Sequence, residues 1–251
     1  MAEAENGPLA DALRRGPILL DAAMGTRLIA RGLDPSRGDD PCLWNLARPD
    51  DVLAVHRLDI AAGSDALLTN TFGANRRWLT RLGRGDEVRA INARAVALAR
   101  DAAAGRLVIG SIGPTADAAA AAEQIDALDG VDAILFETLG PSGPPVEGLG
   151  GLPIIASYLD EAEIPPGVVA VGCNCLDLGA TAGILESLAD KTALPLLAKP
   201  SAGLPGGPMN SPADFAAAVP GWLRRGVRLM GGCCGATERH IAALRRAIDR
   251  G

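Results

Sequence analysis

The 251-residue chain reads as an α/β protein, a (β/α)8 TIM barrel forming one domain over 1–251, with reduced helices after the fourth and fifth strands. Three observations carry this reading. Eight short apolar runs recur along the chain, helical or Gly/Pro-rich segments separate them, and the length is the usual size of one such barrel. Near-continuous apolar strands mark a parallel sheet covered by helices. An open doubly wound sheet is the alternative. Neither nucleotide fingerprint, G-x-G-x-x-G or G-x-x-x-x-G-K-[ST], follows any strand to support it.

In chain order, ILLDAAM (18–24) is the first strand. PDDVLAVHRLDIAAG (49–63) opens with acids suited to a helix N-terminus and ends at glycine. ALLTNTF (66–72) is the second strand, and helical periodicity then runs from 75 to about 104 with a break near 83–85. VIGSIG (108–113) and AILFET (133–138) are the third and fourth strands. GPSGPPVEGLGG (140–151) is too rich in Gly and Pro for a good helix. PIIASYL (153–159) is the fifth strand, and DEAEIPPG (160–167) after it offers at most one turn. VVAVGCNC (168–175) and PLLAKPSA (195–202) are the sixth and seventh. SPADFAAAVPGWLRRG (211–226) starts with a Ser-Pro-x-Asp cap, and Pro220 is expected to bend or end that helix. RLMGGCC (228–234) is the last strand, and amphipathic TERHIAALRRAID (237–249) is the last helix. No internal repeat, low-complexity tract or linker divides the chain.

Composition narrows the function. The chain is 48% hydrophobic and 22% charged, as folded soluble proteins are, with three Trp, three Phe and one Tyr, so Leu, Val, Ile and Ala must build the core. A net charge of −6 without a basic cluster leaves no electrostatic footprint for nucleic acid. MAEAENGPLADALRRGP lacks the order of a signal peptide, and no apolar run approaches the roughly 18 residues of a membrane span. These features point to a cytoplasmic protein, where a disulfide framework is not expected. Five cysteines, four of them in two tight clusters, favour metal binding or reactivity.

In a barrel the active site lies at the C-terminal ends of the strands. Polar and thiol residues gather at those ends: Asp21 and Met24-Gly25-Thr26, Thr69-Asn70-Thr71, Ser111, Glu137-Thr138, Cys175, Lys199 and Ser201, and Cys233-Cys234. Such clustering marks an enzyme. Alternate strands share a layer, so Cys175 on the sixth strand can meet Cys233 and Cys234 on the eighth. Adjacent strand residues point to opposite faces, so the chain must turn for both Cys233 and Cys234 to reach one metal; Gly231-Gly232 and Gly235 allow it. Three sulfurs and one open position are the pattern of a catalytic zinc site. Against this stands the plain reading of the cysteines as small buried residues without metal.

Other residues weigh differently. Cys173 should share a face with Cys175, one layer deeper, and pack as a small apolar residue. Cys42 reads as a loop or packing residue, and His240 as a helix-face or capping residue. Asp21 could cap a turn, Glu137 could pair with Lys199, and Asn70 and Thr71 should orient neighbours. Gly203 and Gly206-Gly207 raise a phosphate-binding barrel, weakly, because no helix N-terminus stands directly behind them.

Six motifs in order resemble the zinc-dependent homocysteine S-methyltransferases, over nearly the whole chain. GGCCGATERHIAAL (231–244) resembles G-G-C-C-G-[TS]-x-P-x-H-I, GCNC (172–175) resembles G-x-N-C, and DAAMGT (21–26) resembles D-G-x-M-G-T. LLTNTFGAN (67–75) resembles the T-N-T-[FY] segment, and GSIGPT (110–115) and FETL (136–139) also match. The resemblance implies Zn2+ on Cys175, Cys233 and Cys234, with the homocysteine thiol in the fourth position and methionine as product. It implies that Asp21 and Glu137 hold the ammonium of homocysteine and that backbone N–H groups at Gly25 and Thr26 receive its carboxylate.

The methyl donor is left open: S-methylmethionine, S-adenosylmethionine, a betaine-like onium compound, or a methylfolate or corrinoid supplied by a separate protein. Two alternatives remain, the same chemistry on another small thiol and a zinc-binding, non-catalytic subunit of a split methyltransferase. Ala22, Ala236-Thr237-Glu238, Ser201 and the short spacing between GSIGPT and FETL depart from the family pattern. They bear on donor identity and on assembly. The thinned helices raise exposed apolar strand faces, covered by a second copy or a partner subunit.

Overall fold

All eight apolar runs are strands of one parallel sheet in the computed structural model, which describes residues 7–141, 143–145, 151–204, 207 and 209–250. The chain opens with α1 (Pro8–Arg15), β1 (Ile18–Leu19), α2 (Met24–Ile29), a short α3 (Trp44–Ala47), α4 (Pro49–Ala62) and β2 (Ala66–Leu68). It continues through α5 (Arg76–Arg81), α6 (Val88–Ala103), β3 (Leu107–Ile112), α7 (Ala118–Ala127), β4 (Ala133–Leu139), β5 (Ile154–Tyr158) and β6 (Val168–Asn174). It ends with α8 (Leu178–Lys191), β7 (Leu196–Lys199), α9 (Pro212–Arg224), β8 (Val227–Met230) and α10 (Glu238–Ile248). The ladder order is β1-β8-β7-β6-β5-β4-β3-β2.

Asp65 bridges the remaining seam between β1 and β2. Its backbone N–H donates to Leu19 O at 2.7 Å, and its carboxylate accepts from Leu19 N at 2.8 Å. Asp21 Oδ2 accepts from Leu68 N at 2.9 Å across the same seam. The sheet is thus a nearly closed barrel, with carboxylates where the shortest strands run out of backbone partners.

Alternation along the strands sorts the core into two layers. Ile18, Leu20, Leu68, Ile109, Leu135, Ile155, Leu197 and Leu229 fill the barrel interior. Residues of opposite parity, such as Ile134, Phe136, Val171 and Ala198, pack outward among the helices. Helix α1, which the sequence pattern did not announce, plugs the N-terminal end with Leu9, 1% exposed and part of the inner cluster.

Two expectations change. Helix α9 runs through Pro220 to Arg224, held by the Ser211/Asp214 capping box and by Phe215, Val219 and Trp222 buried against the sheet. Among the described residues no helix follows β4 or β5, as expected, though 142 and 146–150 of the first connection lie outside them. The strand faces beneath are nevertheless covered: Ile134, Phe136 and Ala156 are 0% exposed and Tyr158 2%. Leu152, Ala162 and Ile164 pack on that cluster, so the loops themselves supply the cover. Among the described residues no helix is long and apolar enough to cross a membrane.

Candidate active site

Extending each inward-facing row by one or two more residues turns it from aliphatic to polar. Ile109 leads to Ser111, Leu135 to Glu137, Ile155 to Ser157, Ala170 through Gly172 to Asn174, and Leu197 to Lys199. The packed interior is therefore the floor of a pocket of about 290 Å3 at the C-terminal mouth. Asp21, Gly25, Thr26, Glu137, Cys175, Cys233 and Cys234 all line it. A larger cavity, about 600 Å3, opens at the opposite end beside α1 and faces none of these groups.

The three cysteines converge as the strand count requires. Their sulfurs lie within 4.8 Å of one another. Cys175 Sγ and Cys233 Sγ are in contact, and Cys234 Sγ is 3.8 Å from Cys175 Sγ. Residues brought together to share one ion are also within reach of a disulfide, and bonding and metal ligation are alternatives, since a ligand sulfur must be a thiolate. The set is otherwise suited to a soft metal: three sulfurs, two of them half-buried, from two loops that open on one pocket.

Backbone geometry aims these sulfurs. Cys175 has φ 60°, and Thr138 at the end of β4 has φ 62°. Left-handed backbone is uncommon outside glycine and costs of order 1–3 kcal/mol, so it persists where neighbours hold it. Asn174 is that neighbour for Thr138. Its Oδ1 accepts from Thr138 N (2.9 Å) and Ser157 Oγ (2.7 Å), and its Nδ2 donates to Thr138 Oγ1 (3.0 Å) and lies 3.9 Å from Cys233 Sγ.

The Cys233-Cys234 turn is braced by the segment after β7. Cys233 N donates to Pro200 O (2.7 Å), Ala202 N to Cys234 O (2.8 Å) and Ser201 Oγ to Cys234 O (3.0 Å). Gly235 follows at φ 75°, with Gly203 O so close that a Cβ would lie 2.0 Å from it. Only glycine fits there.

The turn at Cys175 also overturns the expected placement of Cys173. Cys173 ends up on the outer face, fully buried against α8, its Sγ 4.0 Å from Thr181 O. Strand alternation stops at Asn174, so i and i+2 no longer share a side. Burial pushes the Cys173 thiol up to about 12.

Three charges share the pocket. Glu137 Oε1 accepts from Ser111 Oγ at 2.5 Å, and Oε2 lies 3.6 Å from Lys199 Nζ. Asp21 Oδ2 is satisfied by Leu68 N, but its buried Oδ1 has no partner among the described residues. Burial pushes the Asp21 carboxyl up to about 7, against the lowering pull of Lys199. With Asp21 ionised the pocket holds two carboxylates and one ammonium, an excess negative charge. Helix α2 begins at Met24 with no side-chain cap on its first turn, so Gly25 and Thr26 sit where helical N–H groups lack intrahelical acceptors.

Asn70 Nδ2 donates to Pro41 O and Asn45 Oδ1, and Thr71 Oγ1 donates to Ser111 O, while both residues also line the pocket. His240 caps α10, accepting from Thr237 N at 3.1 Å, with its other ring nitrogen on Asn210 O. Cys42 is buried against Ala74, Leu79 and Ile91. The Arg27–Asp59 pair, which the sequence reading passed over, is fully buried beneath the first strand-end loop, with Arg27 Nε donating to Ala23 O.

The family model for homocysteine S-methyltransferase matches residues 18–141 and 152–248. The chain belongs to the homocysteine S-methyltransferase family. It is 31% identical over 302 residues to methionine synthase of Mycobacterium tuberculosis, covering 96% of this chain and 25% of that protein. It thus spans about a quarter of the length of the first curated relatives it matches, the Mycobacterium leprae methionine synthase among them. The Escherichia coli homocysteine S-methyltransferase is 28% identical over 312 residues, covering 96% of this chain and 98% of that one. The solved E. coli homocysteine methyltransferase MmuM superposes in its metallated form with TM-score 0.78 at 26% identity, over 95% of this chain and 99% of that one. Its oxidized form superposes with TM-score 0.79 at the same identity.

Proposed function

We propose that this chain, acting as one barrel domain, transfers a methyl group from an activated donor to the thiol of L-homocysteine, forming methionine, with Zn2+ held by Cys175, Cys233 and Cys234. The observation that carries the reading is the meeting of three sulfurs with two buried carboxylates in one pocket of amino-acid size. Once the cysteines are reduced, Zn2+ there supplies a Lewis acid that keeps a fourth thiol deprotonated and nucleophilic at neutral pH.

The chain's own groups place the substrate. Asp21 and Glu137, both lining the pocket, hold the substrate ammonium, and their excess negative charge over Lys199 is neutralised by it. The first-turn N–H groups of Gly25 and Thr26 receive the carboxylate. Ser111 and Lys199 hold the Glu137 carboxylate at its station, and Asn174 holds the turn beside it. The substrate sulfur then faces the open mouth, where a donor approaches for in-line displacement, the methyl leaving its donor atom as the sulfur lone pair takes it.

The experiment is direct. Reduced, zinc-supplemented protein is incubated with homocysteine and, separately, S-methylmethionine, S-adenosylmethionine, betaine, methyltetrahydrofolate or methylcobalamin, and methionine is measured by mass spectrometry. Methionine from at least one donor, abolished in Cys234→Ala, supports the proposal. Methionine from none, or methylation of other small thiols in preference to homocysteine, contradicts it.

A further inference from the structure

The segment 21–26 has Asp21 at one end and Gly25 and Thr26 at the other, and all three line the sulfur pocket. On one side this segment is fastened to the loop that bears two of the cysteines. Gly232 N donates to Asp21 O at 3.1 Å, and Gly235 N donates to Thr26 Oγ1 at 3.3 Å. Cys233 and Cys234 lie between those two donors.

On the other side the segment is fastened to α4. Arg27 Nη1 and Nη2 donate to the two carboxylate oxygens of Asp59 at 2.9 and 2.5 Å, and Arg27 Nε donates to Ala23 O at 2.6 Å. The backbone N–H of Ala22 also supports the Asp59 carboxylate. The pair thus engages the backbone directly after Asp21 and directly before α2. Arg27 is 6% exposed and Asp59 0%. His56, one turn before Asp59, is fully buried; burial, then the nearby Arg27, push its ring down to about 3, so it adds no second cation.

Stability does not account for this arrangement. Replacing a buried ion pair by apolar residues of similar volume is often neutral or stabilising, because desolvation offsets the attraction. Apolar side chains cannot supply direction. A planar guanidinium bound through all three of its nitrogens fixes the carbonyl it touches, and with it the backbone on either side.

We propose that Arg27 and Asp59 are positioning residues. They hold segment 21–26 at a fixed reach from the sulfurs, and that reach selects an amino thiol with two methylenes between Cα and sulfur over one with a single methylene. The selection rests on the homocysteine reading of the pocket; the fastening does not.

The test uses the full chain, reduced and zinc-supplemented, and the double variant Arg27→Met/Asp59→Leu, which keeps the buried volume and removes the fork. Its Tm should stay within about 3 °C of the unsubstituted protein. Amide hydrogen exchange in a peptide covering 18–29, read by mass spectrometry without ligand, should be faster by about tenfold or more, with the other strands unchanged. In calorimetry the unsubstituted chain should prefer homocysteine to cysteine by about tenfold or more, and the double variant by less than about threefold, through loss of homocysteine affinity. Arg27→Lys keeps a charge against Asp59 but not the fork, and should shift exchange and preference the same way; it gives a reading that does not depend on the double variant folding. A folded variant with unchanged exchange over 18–29, or with an unchanged ratio of homocysteine to cysteine affinity, overturns the proposal. An unsubstituted chain that binds neither amino thiol fails the homocysteine reading alone, and the exchange rates then decide the fastening.

Discussion

Asn174→Ala should damage stability and substrate binding together. The side chain is 1% exposed and joins β4, β5 and β6 through three hydrogen bonds of 2.7 to 3.0 Å. Truncation leaves Thr138 N without its acceptor inside the barrel mouth, a loss of about 1–3 kcal/mol for one buried unsatisfied donor. Ser157 Oγ, 2.7 Å from Asn174 Oδ1, loses its acceptor too, adding about 1 kcal/mol. The total is about 2–4 kcal/mol, which at a denaturant slope near 3 kcal/mol/M lowers the urea midpoint by roughly 1 M. Thr138, no longer held at φ 62°, relaxes toward the extended region and takes Glu137 with it. Homocysteine affinity should then fall about tenfold, the worth of one misplaced charge-assisted contact. Ser157→Ala should cost only about 1 kcal/mol, and the double variant less than the sum, because both substitutions remove the same bond. Urea unfolding and calorimetry read the two effects. A stability loss under about 1 kcal/mol with unchanged homocysteine affinity would refute the reasoning.

Three further outcomes follow from the same structure. Gly235→Ala forces a β-carbon to 2.0 Å from Gly203 O at φ 75° and should cost ~2–4 kcal/mol, lowering Tm by roughly 5–12 °C in a scanning experiment; a shift under 2 °C would contradict the fit. Arg27→Ala leaves Asp59 buried without its bidentate partner and should cost about 3–5 kcal/mol in denaturant unfolding, with Asp59→Asn in the same background recovering part of it. Burial holds the Asp21 proton up to about 7, so affinity for the homocysteine ammonium should rise with pH toward that value and level above it. Stability of the ligand-free protein runs the other way. Between about 4 and 7 the folded chain keeps a proton the unfolded chain has released, so this contribution falls as pH rises. Asp21→Asn removes both slopes, and a flat affinity profile in the unsubstituted protein would contradict the assignment.

Most of the fold was legible because one rule, the alternation of side chains on a strand, governs most of it. Leu135 and Glu137 share a row, so a carboxylate at the end of an aliphatic strand had to surface at the barrel mouth. The convergence of Cys175 with Cys233 and Cys234 follows from counting strands around a closed barrel. The same rule misplaced Cys173, because it holds only while φ stays extended, and Cys175 at φ 60° leaves the strand. Nothing in GCNC announces that turn.

Asn174 was invisible as a brace for a related reason. Its partners, Thr138 and Ser157, are 36 and 17 residues away, and only the register of three strands brings them together. Pro220 misled because a local breaker was weighed without the tertiary packing of Phe215 and Trp222 that holds α9 straight on. Helix α1 is strongly amphipathic but only eight residues long, and it escaped because its segment was weighed only against the order of a signal peptide. The Glu137–Lys199 pairing was foreseen as a rival to substrate binding. The structure holds that pair, with Lys199 Nζ 3.6 Å from one carboxylate oxygen of Glu137.

The central claim is that Cys175, Cys233 and Cys234 act as one metal site and Cys173 does not belong to it. Zinc content of reduced protein, measured by elemental analysis on the unsubstituted chain and on Cys175→Ala, Cys234→Ala and Cys173→Ala, tests it most directly. About one zinc per chain, lost in the first two variants and kept in Cys173→Ala, is the predicted result. Reduced protein that takes up no zinc, or that loses it only with Cys173→Ala, would contradict the account.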